Sequence, residues 1–379
     1  MNRSHSSRRQ FLTGEAALDA VGDLGRDLAD ASRPANAPAG SNLAGSASGP
    51  SPASPRTYLV QYTRRAMACL FEVFLNAGQH ESGAEQAVAA LDLVDRLEDQ
   101  LTVYRAHSEI SRLNQDAHER AMPVEARLFD LLSRATQLHR DTDGAFDITA
   151  GPLIQAWGFL RREGRIPDEA TLADALARTG SRHLELDASH RTLRFAKAGV
   201  SINLGAIGKG YALDRCAEYL TMAGVYDFML HAGSSSVLAR GHRQGDRSDA
   251  GWTLGVQHPL RADRRLAEFQ LRDRAVGTSG AGTQHFYHQG RRYGHIIDPR
   301  TGQPVDHVLS TTVITTSGAD ADALATAFYV LGLEGTKHYC ASHPDVTALV
   351  TVAGKRAGSV DLHALNADSL EWRRIDDTP

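Results

Sequence analysis

Between residue 57 and residue 365 the chain passes through helix-period and strand-period segments with no regular β-α-β rhythm. That order constrains the fold more than any other feature. It argues against a doubly wound parallel sheet and for an α+β fold with mostly antiparallel sheets and packed helices. Residues 58–75 mix alternating, β-branched and aromatic residues, as in a strand or hairpin. Residues 83–101 and 125–141 repeat apolar positions at helical spacing, the second through Leu128, Leu131, Leu132, Ala135 and Leu138. A break is expected at Gly151 and Pro152, then a helix over 167–178 and two strands with a turn over 182–196. A short strand over 200–204 leads to a helix over 207–222. Strands are expected within 228–241, 252–258, 267–276, 292–297, 309–316 and 346–352. Nothing repeats.

The segment before this region cannot belong to a core. Residues 32–56 are rich in Ser, Pro, Ala and Gly and read as a flexible linker, placing the start of the folded domain at Thr57. Residues 1–31 read as a leader. Arg8 and Arg9 resemble the start of a twin-arginine export signal, but Glu15, Asp19, Asp23 and Arg26 interrupt the apolar stretch that should follow. Two locations stay open: the periplasm, through this weak signal, or the cytoplasm. Residues 366–379 are read as a C-terminal tail. The remaining 57–365 form the expected domain, long enough for a sizeable core in a chain that is 42% hydrophobic. A net charge of −4 provides no basic footprint for nucleic acid. No apolar run is long enough to span a bilayer. The three cysteines, Cys69, Cys216 and Cys340, form no C-x-x-C pair and are expected to be buried small hydrophobes.

Residues 317–332 read as one helix. Asp322 and Thr326 lie four residues apart, so they share a face and offer hard oxygens suited to Mg²⁺. Leu324, Phe328 and Leu331 supply the apolar face. The plainer alternative is that Asp320 and Asp322 favour a helix start by charge. Glycines at 205, 208 and 210 serve either a tight strand-to-helix turn or close approach of an anion to backbone. Their spacing fits neither a Walker A loop nor a dinucleotide fingerprint. His295 ends a strand that runs into Asp298-Pro-Arg-Thr-Gly302; it is a candidate base or positioning donor, and Asp298 a candidate turn residue. Residues 144–159 enclose Asp147 between apolar neighbours, with Trp157 and Phe159 able to pack on a planar ring. Residues 275–282 form a flexible turn with two hydroxyls, and Met67 is a candidate soft contact for an aromatic ligand.

Taken in order, several motifs resemble those of the ApbE family, the FAD:protein FMN transferases. They are YRAHSEISRLN at 104–114, FD at 146–147 with TAGPL at 149–153 and WGF at 157–159, INLGAIGKGYALD at 202–214, TSG at 278–280, HIIDPRTG at 295–302 and ADALAT at 321–326. The resemblance runs from about residue 65 to residue 332 and implies a T-fold-related architecture. It implies transfer of FMN from FAD, with Mg²⁺, to a Thr or Ser hydroxyl of an acceptor protein, releasing AMP. Some relatives instead hydrolyse FAD to FMN and AMP, and a flavin-binding protein without chemistry is the remaining alternative. By the same resemblance the metal falls to the side chains of Asp322 and Thr326 and the backbone of Ala206. FAD contacts fall to Met67, Thr102, Tyr104, Ala145, Phe146, Asp147, Asn203, Lys209, Thr278, Ser279 and Gly280, and the catalytic role to His295. There are departures. Asn203 stands where relatives commonly carry Asp, the HAGSSS stretch at 231–236 differs from Asn-Ala-Gly-Gly-Asp, and residues 281–284 differ from Asp-Tyr-Arg-Asn. Gly282 also lacks the hydroxyl that self-modification of a Ser279-Gly-Ala281 motif would need.

Overall fold

Strand β1 (Leu59–Ala66) turns tightly into β2 (Cys69–Asn76), and every inward residue of β2 is then claimed by one of two cores. The computed structural model describes residues 58–243, 251–280, 282 and 284–375. The leader, the linker and the export motif read from the sequence lie outside the described residues. On β2, Phe71, Val73 and Leu75 enter the larger core while Phe74 enters the smaller one, the period-2 alternation of a strand buried on both faces.

The main sheet has eight strands. It adds β6 (Phe228–Ala232), β7 (Ser236–Arg240), β10 (Arg274–Gly280), β13 (Ser310–Thr315), β14 (Thr347–Ala353) and β15 (Val360–Leu365), in the order β1-β2-β6-β7-β10-β13-β14-β15. Every pair in it is antiparallel. Three helices pack on one face: α1 (Gly83–Leu101), α6 (Gly208–Met222) and α7 (Gly318–Ser342). The apolar face of α1 comprises Ala87, Ala90, Leu91, Val94 and Leu97, all buried. The other face of the sheet is covered by β8 (Trp252–His258), β9 (Arg261–Leu271) and β16 (Trp372–Arg374), through Trp252, Phe269 and Leu271. Strand β16 pairs with β9, and Asn366 donates to the carbonyls of Cys340, His343 and Val346. The folded domain therefore extends past the expected boundary at 365.

A satellite lobe forms a third apolar cluster. It contains α4 (Gly151–Ala156), a 3₁₀ turn (Phe159–Arg161), α5 (Glu169–Ala177) and the hairpin of β11 (His285–His288) and β12 (Arg291–Gly294). Phe286 and Tyr293 stack at 5.2 Å and pack against Phe159 and Trp157. The remaining helices are α2 (Glu109–Asp116) and α3 (Ala126–Asp141), with a small sheet of β3 (Met122–Pro123), β4 (Leu184–Asp187) and β5 (Thr192–Phe195). Pro152 sits in the first turn of α4, so the Gly-Pro pair starts a helix rather than marking only a break. Residues 200–204 are not a strand. Asn114 takes the place of a neighbouring strand, accepting from the Ile202 N–H and donating to the Ile202 carbonyl, while the Asn203 N–H donates to the Ile148 carbonyl. No helix among the described residues is long and apolar enough to cross a membrane.

Candidate active site

The site is organised by a crossing of two helices. Gly210 in the first turn of α6 meets Gly318 at the start of α7. A Cβ on Gly210 would lie 1.9 Å from the Gly318 carbonyl oxygen, which only two glycines avoid. The glycine of this motif thus serves helix–helix approach. Capping of α7 is handled by Asp214 of α6, which accepts from the Gly318 N–H (2.7 Å), the Ala319 N–H (2.9 Å) and the Ser317 hydroxyl (2.9 Å). Asp320 pairs with Arg134. Neither task falls to Asp322, so its carboxylate is not explained as a helix-start charge.

Asp322 is 6% exposed and faces the α6 terminus. The Gly210 N–H donates to Oδ2 at 2.7 Å and the Ser236 hydroxyl to Oδ1 at 2.7 Å. The Lys209 ammonium stands 3.9 Å from Oδ2. Burial pushes the carboxyl above its ordinary pKa, and Lys209, Ser236 and Gly210 only partly offset it. One turn on, the Thr326 hydroxyl lies 3.3 Å from the Asp322 carbonyl and 3.1 Å from the Ser279 hydroxyl. Asp322 and Thr326 do share one face of α7, as their spacing requires. Ala206 lies in the turn just ahead of α6, four residues before Gly210.

Lys209 also acts on two other groups. The Cys69 thiol is pushed up to about 11 by burial, with Lys209 opposing. Cys69 is half-buried at the start of β2, unlike the buried Cys216 and Cys340. Burial lowers the pKa of the His295 imidazole, a shift the Gln284 carbonyl opposes and Lys209 reinforces. His295 Nδ1 lies 3.1 Å from that carbonyl, which can only accept, so Nδ1 carries the proton and Nε2 keeps its lone pair.

A family model described as the ApbE family matches residues 67–350, about three quarters of the chain. The chain belongs to the ApbE family. It is 34% identical over 246 residues to the FAD:protein FMN transferase of Vibrio cholerae, spanning 64% of this chain and 72% of that protein. The FAD:protein FMN transferase of Treponema pallidum is 34% identical over 298 residues, 73% of this chain and 82% of the relative. Among solved structures, the ApbE protein of Thermotoga maritima superposes with a TM-score of 0.71 at 28% identity, covering 80% of this chain and 96% of that one. The apo flavinyl transferase ApbE of Pseudomonas stutzeri gives 0.71 at 27%, covering 81% and 95%.

In this ApbE family member the other expected contacts divide into open and committed groups. Tyr104 is 73% exposed, its ring free to stack. Met67 and Ala68 form the β1–β2 turn at φ 49° and 60°, a left-handed conformation that costs a non-glycine residue energy. Thr102 ends α1, and its carbonyl accepts from Ser108 at 2.6 Å. Ala145 and Phe146 are core residues. Asp147 accepts from Thr149, Ser181 and their N–H groups and sits 3.1 Å from His139 Nδ1. Only backbone remains for a ligand along that stretch. Asn203 Oδ1 accepts the Gly205 N–H at 2.8 Å and shapes the turn that presents Ala206. Thr278 meets Thr312 at 3.0 Å, on the opposite sheet face from Ser279, and Gly280 ends the strand. Asp298 is a turn residue, accepting from the Arg300 N–H and guanidinium. Ser236 stood in the sequence only within the 231–236 departure from the family pattern, not as a site residue.

Proposed function

We propose that this chain transfers FMN from FAD to a Thr or Ser hydroxyl of an acceptor protein, releasing AMP, with Mg²⁺ held by Asp322, Thr326 and the Ala206 carbonyl. The names of the relatives, all FAD:protein FMN transferases, support the reaction. The observation that carries the metal assignment is Asp322: a buried carboxylate, one turn from a hydroxyl, with free lone pairs on both oxygens after its two hydrogen bonds. Among the described residues no three His, Cys, Asp or Glu side chains converge as a cage. A donor set of one carboxylate, one hydroxyl and one carbonyl fits Mg²⁺, which keeps waters and draws on substrate phosphates. When bound, Mg²⁺ supplies Lewis-acid neutralisation of pyrophosphate charge.

The residues then have distinct roles. Lys209, at the α6 terminus, faces the anionic pyrophosphate. Nε2 of His295 takes the proton from the acceptor hydroxyl as that oxygen bonds to the FMN phosphorus. The bridging P–O bond breaks, and the electron pair leaves with AMP. The Tyr104 ring, Met67, the Thr102 turn, the 145–147 backbone, the Asn203 turn and residues 278–280 border the FAD. The acceptor carries the family's Asp-Gly-x-Ser/Thr-Gly-Ala-Thr motif. The test incubates the protein with FAD, MgCl₂ and a peptide bearing that motif. A fluorescent, FMN-bearing peptide is the expected product. Free FMN and AMP alone, or intact FAD, would overturn transfer.

A further inference from the structure

Strands β7 and β10 run side by side, with Ser236 paired to Gly277. Ser236, Gly277 and Ser279 all face α7. At Gly277 the helix backbone lies directly on the sheet: a Cβ there would come within 2.3 Å of the Ala321 carbonyl oxygen. The two serines flank that contact, and each meets one of the two side chains assigned to the metal. Ser236, 1% exposed, donates to Asp322 Oδ1 at 2.7 Å. Ser279 meets the Thr326 hydroxyl at 3.1 Å. Either hydroxyl can donate in that pair; with the single Thr326 proton on the Asp322 carbonyl at 3.3 Å, Ser279 donates.

We propose that Ser236 and Ser279 are positioning residues, which aim the Asp322 carboxylate and the Thr326 hydroxyl at a shared Mg²⁺; the proposal rests on the reading of those two residues as its ligands. Each serine gives its proton to a ligand oxygen. Neither therefore competes for the cation, and each leaves its partner oxygen a lone pair for it. Mg²⁺ demands near-octahedral ligands, so a carboxylate free to rotate binds it less well than a held one. The rigidity comes from the Gly277 contact, which prevents α7 from shifting toward the sheet to compensate.

The experiment titrates MgCl₂ by calorimetry into the full chain saturated with ADP, whose pyrophosphate cannot yield FMN. Wild type is compared with Ser236→Ala, Ser279→Ala, Ser236→Thr and Asp322→Ala. Each alanine variant at a serine should weaken Mg²⁺ binding about tenfold and raise the Mg²⁺ needed for half-maximal FAD turnover by a like factor. At saturating Mg²⁺ the kcat of Ser236→Ala should stay within about threefold of wild type, a split that a general loss of structure would not produce. Ser236→Thr keeps the hydroxyl and should restore binding. Melting curves report the fold, and Ser279→Ala, at a half-buried position, carries the test if Ser236→Ala does not fold. Mg²⁺ affinity within about twofold of wild type in the serine variants, with Asp322→Ala defective, overturns the positioning role alone. Wild-type Mg²⁺ binding by Asp322→Ala overturns instead the assignment of Asp322 as a ligand.

Discussion

Two buried aspartates in this molecule have nearly the same exposure and opposite fates. Asp147 is 8% exposed and Asp322 is 6% exposed. Asp147 is saturated: Thr149 and Ser181 each donate a hydroxyl and an N–H, and His139 stands beside it. Although burial raises its pKa, His139 and Thr149 outweigh that and leave it below the ordinary carboxylate value. Asp322 has two donors and a lysine at 3.9 Å, and burial leaves it above the ordinary value. A buried carboxylate with all its lone pairs used holds structure together. One with lone pairs to spare is poised for a cation.

Replacing Asp322 with Ala should give the largest effect. Mg²⁺-dependent FAD turnover should fall about a thousandfold, about 4 kcal/mol of transition-state stabilisation, with melting temperature kept or raised. Steady-state kinetics beside a melting curve would show this, and a large loss of stability would erase the contrast with Asp147. Asp147→Ala should do the reverse. Breaking its buried network should cost about 3 kcal/mol in denaturant unfolding, while the folded fraction keeps kcat within about threefold. Selective loss of turnover would move Asp147 into the site.

Smaller changes sharpen the contrast. Ser181→Ala removes one donor from a carboxylate that retains others, so it should cost about 1 kcal/mol and leave Mg²⁺ affinity unchanged. The smallest expected effect is a pH dependence of the His139–Asp147 pair. The pKa of His139 is raised because Asp147 and the Phe146 carbonyl outweigh its burial. Its contribution is therefore complete below the unfolded value of 6.5 and lost as pH rises through the folded value. Asp147 contributes above its unfolded value of 3.8 and stops contributing as pH falls through its lowered folded value. The stability gap between wild type and His139→Gln should thus be widest near pH 5–6 and narrow by about pH 8–9, by urea unfolding at each pH. A gap that widens with pH would reverse the assigned direction.

Much of the fold was legible where periodicity is local. The β1–β2 hairpin, α1 and α6 follow their apolar spacing closely. Residues 200–204 have strand-like apolar alternation, and Val200, Ile202 and Leu204 are indeed buried. Burial alone does not supply a ladder, and a side chain 88 residues away closes the hydrogen bonds instead. Gly332, at φ 71° and ψ −173°, breaks the span from Gly318 to Ser342 into two helical segments, and Thr336 in the second donates to the Gly332 carbonyl. Strand β11 and the end strands β15 and β16 went unread, being short or polar on their exposed faces.

What the sequence determined by itself about the site is the part carried by helical geometry and by motif order. A spacing of four residues puts Asp322 and Thr326 on one face, and the ordered motifs point to the family. Only the tertiary structure decided which aspartate has lone pairs to spare. Gly210 reaches Asp322 across 112 residues and Ser236 across 86. Asp147 is closed off by Ser181, 34 residues away. Sequence spacing records which groups share an element. Whether a buried charge is satisfied depends on donors from other elements, whose positions only packing supplies.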